Sequence, residues 1–158
     1  MDNIKARFKQ YQEAIEASNI VSKTDTNGTI TFVNDEFCKM SGFTREELIG
    51  ANHNIVRHPE VPKEVFARLW DTILAKKVHK GTIRNRTKDG RDVYLNTTII
   101  PILDLSGQIE EFLAIRHDVT DVINLNNELE KTKKELLNLN EKLENRVAEQ
   151  TAKLVNLN

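Results

Sequence analysis

Residues 79–117 read HKGTIRNRTKDGRDVYLNTTIIPILDLSGQIEEFLAIRH, and this stretch decides the fold. Three runs, about 79–87, 91–102 and 109–117, are rich in Ile, Val, Thr, Tyr and Leu, the composition of strands. They are separated by Lys88-Asp89-Gly90 and by Asp104-Leu105-Ser106-Gly107. Such residues close hairpins, because glycine reaches a left-handed backbone without steric cost and aspartate hydrogen-bonds the turn. Three strands joined by two tight turns make an antiparallel meander, whose apolar face needs cover.

The cover lies upstream. Pro62 opens a helix that runs to about Lys76, with Val65, Phe66, Leu69, Trp70 and Ile73 on its buried side. Residues 51–61 read as irregular. Thr44-Arg45-Glu46-Glu47 is a capping-box start for a short helix that stops at Gly50. Asn34-Asp35 caps another short helix, which carries Phe37, Cys38 and Met40 and ends at Gly42. Before it, Ile20–Asp25 and Thr29–Val33 flank Thr26-Asn27-Gly28, where Asn-Gly predicts a type I′ hairpin turn. Ile4, Phe8, Tyr11 and Ile15 give residues 4–18 the period of an amphipathic helix. The order predicts an α+β fold: a five-stranded antiparallel sheet with short helices on one side and a ligand-sized space between.

From Val122 the spacing changes. Val122, Leu125, Leu129, Thr132, Leu136, Leu139, Leu143, Val147, Gln150, Leu154 and Leu157 recur in steps of three and four, the seam of a coiled coil. Two successive steps of four, Leu139 to Leu143 to Val147, form a stutter that locally relaxes the supercoil. Such a stripe is buried only against another helix, so a homodimer through this rod is expected. The predicted organisation is a helical cap over 1–18, a globular domain over 19–120 and a coiled-coil helix over 121–158. The repeat is unfinished at Asn158, which predicts an output domain beyond it in a longer parent chain.

Composition narrows the function. The formal net charge is −1 across 158 residues, which argues against a nucleic-acid-binding face. Cys38 is the single cysteine, so no disulfide framework or cysteine metal cluster forms, and a reducing cytoplasmic setting fits. No apolar run reaches the length of a membrane span, and direct membrane contact is not expected. No nucleophile–base pair, phosphate-binding glycine loop or paired-carboxylate arrangement is present, so no catalytic residue and no enzyme activity are expected. The four histidines, His53, His58, His79 and His117, lack metal-site spacing.

One segment invites an anion. Arg57 offers a planar fork suited to phosphate, and His58 can donate beside it. Both precede a helix N-terminus, and Trp70 further along can stack on an aromatic ring. The same residues also fit plain structural duty: Arg57 and Glu60 as an exposed ion pair, His58 on the surface and Trp70 in the core.

The residues 25–34 (DTNGTITFVN), 41–50 (SGFTREELIG) and 116–121 (RHDVTD) resemble the PAS sensor family, over about residues 15–121. His53-Asn54-Ile55-Val56-Arg57-His58-Pro59-Glu60-Val61-Pro62, followed by Phe66 and Leu69-Trp70, is similar to the signature of the FAD-binding PAS domains of bacterial aerotaxis receptors. The resemblance implies FAD held by Arg57, His58 and Trp70. Glu60 stands where that pattern usually has aspartate, so its role does not carry over. Light-sensing LOV relatives carry Gly-x-Asn-Cys where this chain has Gly50-Ala51-Asn52-His53, so an imidazole replaces the reactive thiol and adduct photochemistry is not expected. Asn85 matches the first LOV asparagine that meets the polar flavin edge. The second falls at Leu95, with Asn96 one residue off, which implies either a different grip on the ring or a bulge that corrects the register. Asn34 is a helix cap or a flavin contact. Asp118 and Thr120 match the Asp-x-Thr exit that ties the last strand to the output helix, where they also serve as caps.

The function implied is a sensory domain that binds FAD and relays redox or oxygen state through a dimeric coil to a histidine kinase, a diguanylate cyclase or a chemoreceptor module. The rivals are a PAS domain that binds haem or a small metabolite, and a ligand-free dimerisation spacer. Haem ranks below FAD because it does not call for an arginine–histidine pair ahead of a helix.

Overall fold

The structure, a computed structural model, describes residues 1–157. The meander expected from residues 79–117 is formed by β3 (His79–Arg86), β4 (Asp92–Leu103) and β5 (Ile109–Asp118). Two earlier strands, β1 (Ile20–Thr24) and β2 (Ile30–Val33), complete a five-stranded antiparallel sheet in the order β2-β1-β5-β4-β3. The long helix α1 (Asp2–Ser18) precedes the sheet. Between β2 and β3 run α2 (Asp35–Ser41), α3 (Arg45–Leu48), a 3₁₀ turn (His53–Val56) and α4 (Lys63–Leu74). The segment expected to be irregular thus holds one tight turn, capped by the Asn52 side chain on the Asn54 N–H.

Alternation decides which face is covered. In β4, Val93, Leu95 and Thr97 are buried while Asn96 between them is exposed. Opposite them β5 buries Phe112, Ala114 and Arg116. One apolar cluster packs Phe37, Leu48 and Val56 of the helical layer on Ile20, Ile30, Val33 and Leu95. A second packs Leu69 and Ile73 of α4 on Phe112, with Trp70, Ile83 and Ile99 around them.

The β1–β2 turn is not the expected type I′, which needs two left-handed residues. Gly28 is left-handed at φ 85°, but Asn27 is not. The cause is Asp25: its carboxylate accepts the N–H groups of Asn27 and Thr29, and its carbonyl accepts the Gly28 N–H. A side chain that bonds its own turn in this way overrides the Asn-Gly preference. Asp104 does the same for Ser106 and Gln108 in the β4–β5 turn.

Asn34 joins three elements. Its Oδ1 accepts from the N–H groups of Val21 and Phe37, and its Nδ2 donates to the carbonyls of Glu16 and Asn19, each at 2.7 Å. The N-cap of α2 thereby also anchors the end of α1 and the start of β1.

At the other end, Asp118 accepts from both the N–H and the hydroxyl of Thr120. The Thr120 hydroxyl oxygen accepts the Tyr94 N–H, and the Tyr94 carbonyl accepts the Val119 N–H. Both backbone groups of one β4 residue are therefore committed to the exit from β5.

The chain divides into a unit ending at Thr120 and a second from Asp121 onward. The second is helix α5, which begins at Thr120 and runs to Asn156, about 55 Å of helix. None of its residues is buried. Val122, Leu125, Leu129, Leu136, Leu139, Leu143, Val147 and Leu154 leave the expected apolar stripe exposed. Asn158, the last residue of the expected rod, lies outside the described residues.

Replacing Asn34 with alanine orphans buried backbone groups in three elements. The loss is expected to cost about 1–3 kcal/mol, read as a lower urea midpoint. Ligand retention is expected to be unchanged in the folded fraction.

Candidate ligand-binding cavity

The helical layer does not fill the concave side of the sheet. A cavity of about 380 Å³ remains, within the usual range of small-molecule sites (about 300–1,000 Å³). Its sheet wall is built by Thr24, Ile83, Asn85, Thr97, Ile99, Phe112, Ala114 and Arg116, and the opposite wall by the 3₁₀ turn and α4. The strand pairs Thr97–Arg116, Ile99–Ala114 and Thr24–Phe112 set those side chains side by side.

His53, Arg57, Trp70 and Asn85 all line the cavity. The Arg57 guanidinium stacks on the Phe66 ring, 3.4 Å from its centroid, and forms no ion pair among the described residues. An arginine backed by an aromatic face keeps its fork free for an outside acceptor. Trp70 meets Phe112 edge to face, with centroids 5.8 Å apart. Gly28 lies under it: a Cβ there would sit 3.1 Å from the indole, at a backbone angle that already disfavours L side chains. Asn85 is 94% buried, being 6% exposed, and no protein group among the described residues bonds its amide. Its backbone bridges to Arg57, which brings the 3₁₀ turn and β3 together.

Two expected residues lie elsewhere. Asn34 is occupied by backbone, as described above. His58 is buried beneath β4: its Nδ1 accepts the Glu60 N–H at 3.0 Å, so its Nε2 donates to Asp92 at 3.0 Å. Asp92 also holds Arg84, which pairs with Glu60 at 2.9 Å. Bonds from Arg84 first, and then the charges around it, hold the Asp92 carboxyl below its usual range. The reading of Arg57 and Glu60 as a pair therefore fails, because Glu60 pairs with Arg84. The N-terminus of α4 does not line the cavity: Phe66 is the first α4 residue to reach it. No bulge corrects the register at Leu95. It pairs with Ile83 in an unbroken ladder, Asn96 faces outward, and Thr97 takes the place in the wall. Cys38 packs against the core.

The sequence reading missed the buried charged residue of the cavity, Arg116. Arg116 is 4% exposed. It donates to Ser22 Oγ at 2.9 Å and to His53 Nε2 at 2.8 Å. Its guanidinium also sits 5.4 Å from the Phe37 ring. Because arginine only donates, His53 Nε2 carries the lone pair and the proton is on Nδ1. Burial first, and the Arg116 charge second, depress the His53 pKa to about 3. Burial likewise lowers that of Arg116 to about 10, so at neutral pH it is a cation with two uncharged partners. The available signal was its place in β5: Phe112, Ala114 and Arg116 alternate onto the buried face, where a charged residue breaks the pattern.

The family model described as the PAS fold matches residues 6–119, and the chain belongs to that family. The aerotaxis receptor of Escherichia coli strain K12 is 36% identical over 104 residues, which is 66% of this chain and 20% of that protein. The nitrogen fixation regulatory protein of Klebsiella pneumoniae is 29% identical over 105 residues, 66% of this chain and 21% of that protein. This chain thus spans about a fifth of the length of either relative. Among solved structures, the PAS domain of a Colwellia psychrerythraea protein aligns with a TM-score of 0.66 at 23% identity, over 72% of this chain and 98% of that one. The LOV domain of a blue-light activated histidine kinase from Erythrobacter litoralis aligns with a TM-score of 0.60 at 21% identity, over 65% and 97%. The protein is a PAS domain of the kind found in signalling proteins, related in sequence to aerotaxis receptors.

Because the folded state holds His53 neutral down to about pH 3, the unfolded chain takes up a proton that the native state refuses. Stability is expected to fall as pH drops below the unfolded value near 6.5, by at most about 1.4 kcal/mol per pH unit. His53→Gln is expected to flatten that part of a urea-midpoint profile measured between pH 7 and 4.5.

Proposed function

We propose that the domain binds FAD in this cavity and passes its redox state to helix α5. The observation that carries the reading is the cavity's set of unused polar groups: the free Arg57 fork and the unpartnered Asn85 amide flank a pocket walled by Trp70 and Phe112. That set suits a ligand with phosphates at one end and a flat, hydrogen-bonding ring at the other. In this reading Arg57 holds the pyrophosphate, Trp70 packs on the apolar ring surface, and the Asn85 amide bonds the ring's carbonyl and N–H edge. His58 contributes indirectly, by fixing the Arg57 segment to Asp92.

Bound FAD would supply a reversible change of charge and protonation at the ring. The protein's part is to feel that change at Asn85 on β3 and across Thr97 and Arg116 on β4 and β5. The Thr97–Arg116 pair is two residues from Leu95–Asp118, and Tyr94, next to Leu95, holds both Val119 and Thr120. A ligand state that prefers a different β4–β5 position therefore shifts the population of the exit bonds at the first residue of α5. The exposed stripe of α5 pairs with a second copy, and the signal goes on to an output module of the parent protein: a kinase, a diguanylate cyclase or a chemoreceptor module. The domain acts as an input rather than as a catalyst, in the cytoplasm. Among the described residues no helix is long and apolar enough to cross a membrane. The relatives named for aerotaxis and nitrogen fixation regulation support a sensory role.

A visible spectrum of the purified protein tests the cofactor. Flavin bands are expected; a Soret band or no chromophore in a protein that also fails to take up added FAD rejects the reading. Arg57→Ala and Trp70→Ala are each expected to cut FAD affinity at least tenfold, about 1.4 kcal/mol, and Asn85→Ala to weaken it as well. Leu136→Glu is expected to weaken self-association in sedimentation and leave the flavin spectrum unchanged.

A further inference from the structure

Arg116 is difficult to account for as a structural residue. A buried guanidinium ordinarily lies against a carboxylate, because burial of an unpaired charge is costly. Here the nearest polar partners are a hydroxyl and a neutral imidazole. Of five N–H donors, Ser22 and His53 each engage one. The residue lines the cavity next to Thr97, and no aspartate or glutamate lies within ion-pair distance of it among the described residues. Where arginines of this domain do form ion pairs, they do so at more exposed positions: Arg45 with Asp35, Arg84 with Glu60 and Asp92, and Arg91 with Asp89.

His53 and Ser22 form a cradle for the guanidinium. The imidazole is oriented by edge-to-face packing on Phe37, with centroids 5.8 Å apart, and its lone pair faces the arginine. Neither neighbour competes with a ligand for the positive charge. A preorganised, desolvated and uncompensated cation at a cavity wall stabilises negative charge on whatever faces it far more than a surface arginine does.

We propose that Arg116, held by Ser22 and His53, is the anion-recognising group of this cavity: it contacts a planar ligand at its electron-rich carbonyl or deprotonated edge and favours the ligand state with more negative charge there. Where the ligand is FAD, as in the reading above on which this part rests, the edge belongs to the ring and Arg116 favours the reduced form. Arg57 and Arg116 then divide the work, one for phosphate and one for the ring.

The test compares wild type with Arg116→Gln and Arg116→Met. The two replacements, one polar and one apolar, guard against a folding defect in either. In FAD-loaded protein, spectroelectrochemical titration is expected to give both variants a lower midpoint potential. A tenfold loss of preference for the reduced form corresponds to about 30 mV for a two-electron couple. Unchanged potentials with normal flavin occupancy overturn the proposal and leave the FAD reading standing. A second arm needs no flavin: benzoate, a flat anion, is expected to raise the melting temperature of ligand-free wild type more than its neutral isostere benzamide does, and this difference is expected to vanish in both variants. If the protein takes up no FAD, the cofactor reading fails and the benzoate arm decides alone. Equal responses to benzoate and benzamide in wild type, or an undiminished difference in a folded variant, overturn it.

Discussion

The pairing of β4 with β5 is the constraint on which the remainder of the molecule depends. It is a long antiparallel ladder, from Leu95–Asp118 to Leu103–Ile109, with one register shift at its far end between Ile102 and Leu103. Because strand side chains alternate strictly, that register alone sends Leu95, Thr97, Ile99, Phe112, Ala114 and Arg116 to one face. The same ladder ends with Asp118 opposite Leu95, and the next residue, Tyr94, bonds Val119 and Thr120 where the backbone leaves the sheet for α5. Cavity wall and exit are parts of one hydrogen-bonded ribbon.

Cover for that face is deliberately partial in physical terms. Phe37, Leu48 and Val56 seal one end of the concave side, and Leu69 and Ile73 seal the other. Between them the chain runs as a 3₁₀ turn and an extended piece, stapled to β3 by the Arg57–Asn85 bridge and to β4 by His58–Asp92. Extended backbone cannot present a ridge of side chains to a sheet as a helix does, so it leaves a space. Polar groups without protein partners, Asn85 and Arg57, face into that space and give it chemical direction.

The two arginines at the cavity differ in what surrounds them, and the difference is informative. Arg57 keeps part of its surface in contact with water and rests on Phe66, so its charge is cheap to hold. Arg116 is deep, and its neighbours are uncharged. Burial of an unpaired charge is costly, and the hydrogen bonds to Ser22 and His53 offset only part of that cost. His53, in turn, stays neutral first because of burial and second because it stands beside that cation. Its ring nitrogen accepts from the Arg116 guanidinium.

Much was legible from residues alone. Turn chemistry at Gly90 and Gly107, alternation in the strands, the capping box at Thr44 and the heptads after Val122 specify elements and their order, because each depends on interactions within a few residues. Arg57 and Trp70, singled out from the residues, and Asn85 and His53, singled out through the family resemblance, all line the cavity. Long-range packing decided the rest. It turned His58 toward Asp92, gave Glu60 to Arg84 and consumed Asn34 in backbone bonds, whereas the Asn-Gly turn was reshaped locally, by Asp25. It also put Ser22, His53 and Arg116 within hydrogen-bond reach, though they come from three distant parts of the chain. Local spacing determines which face a side chain takes; only the folded sheet determines which charges share that face, and which of them is left without a counter-charge.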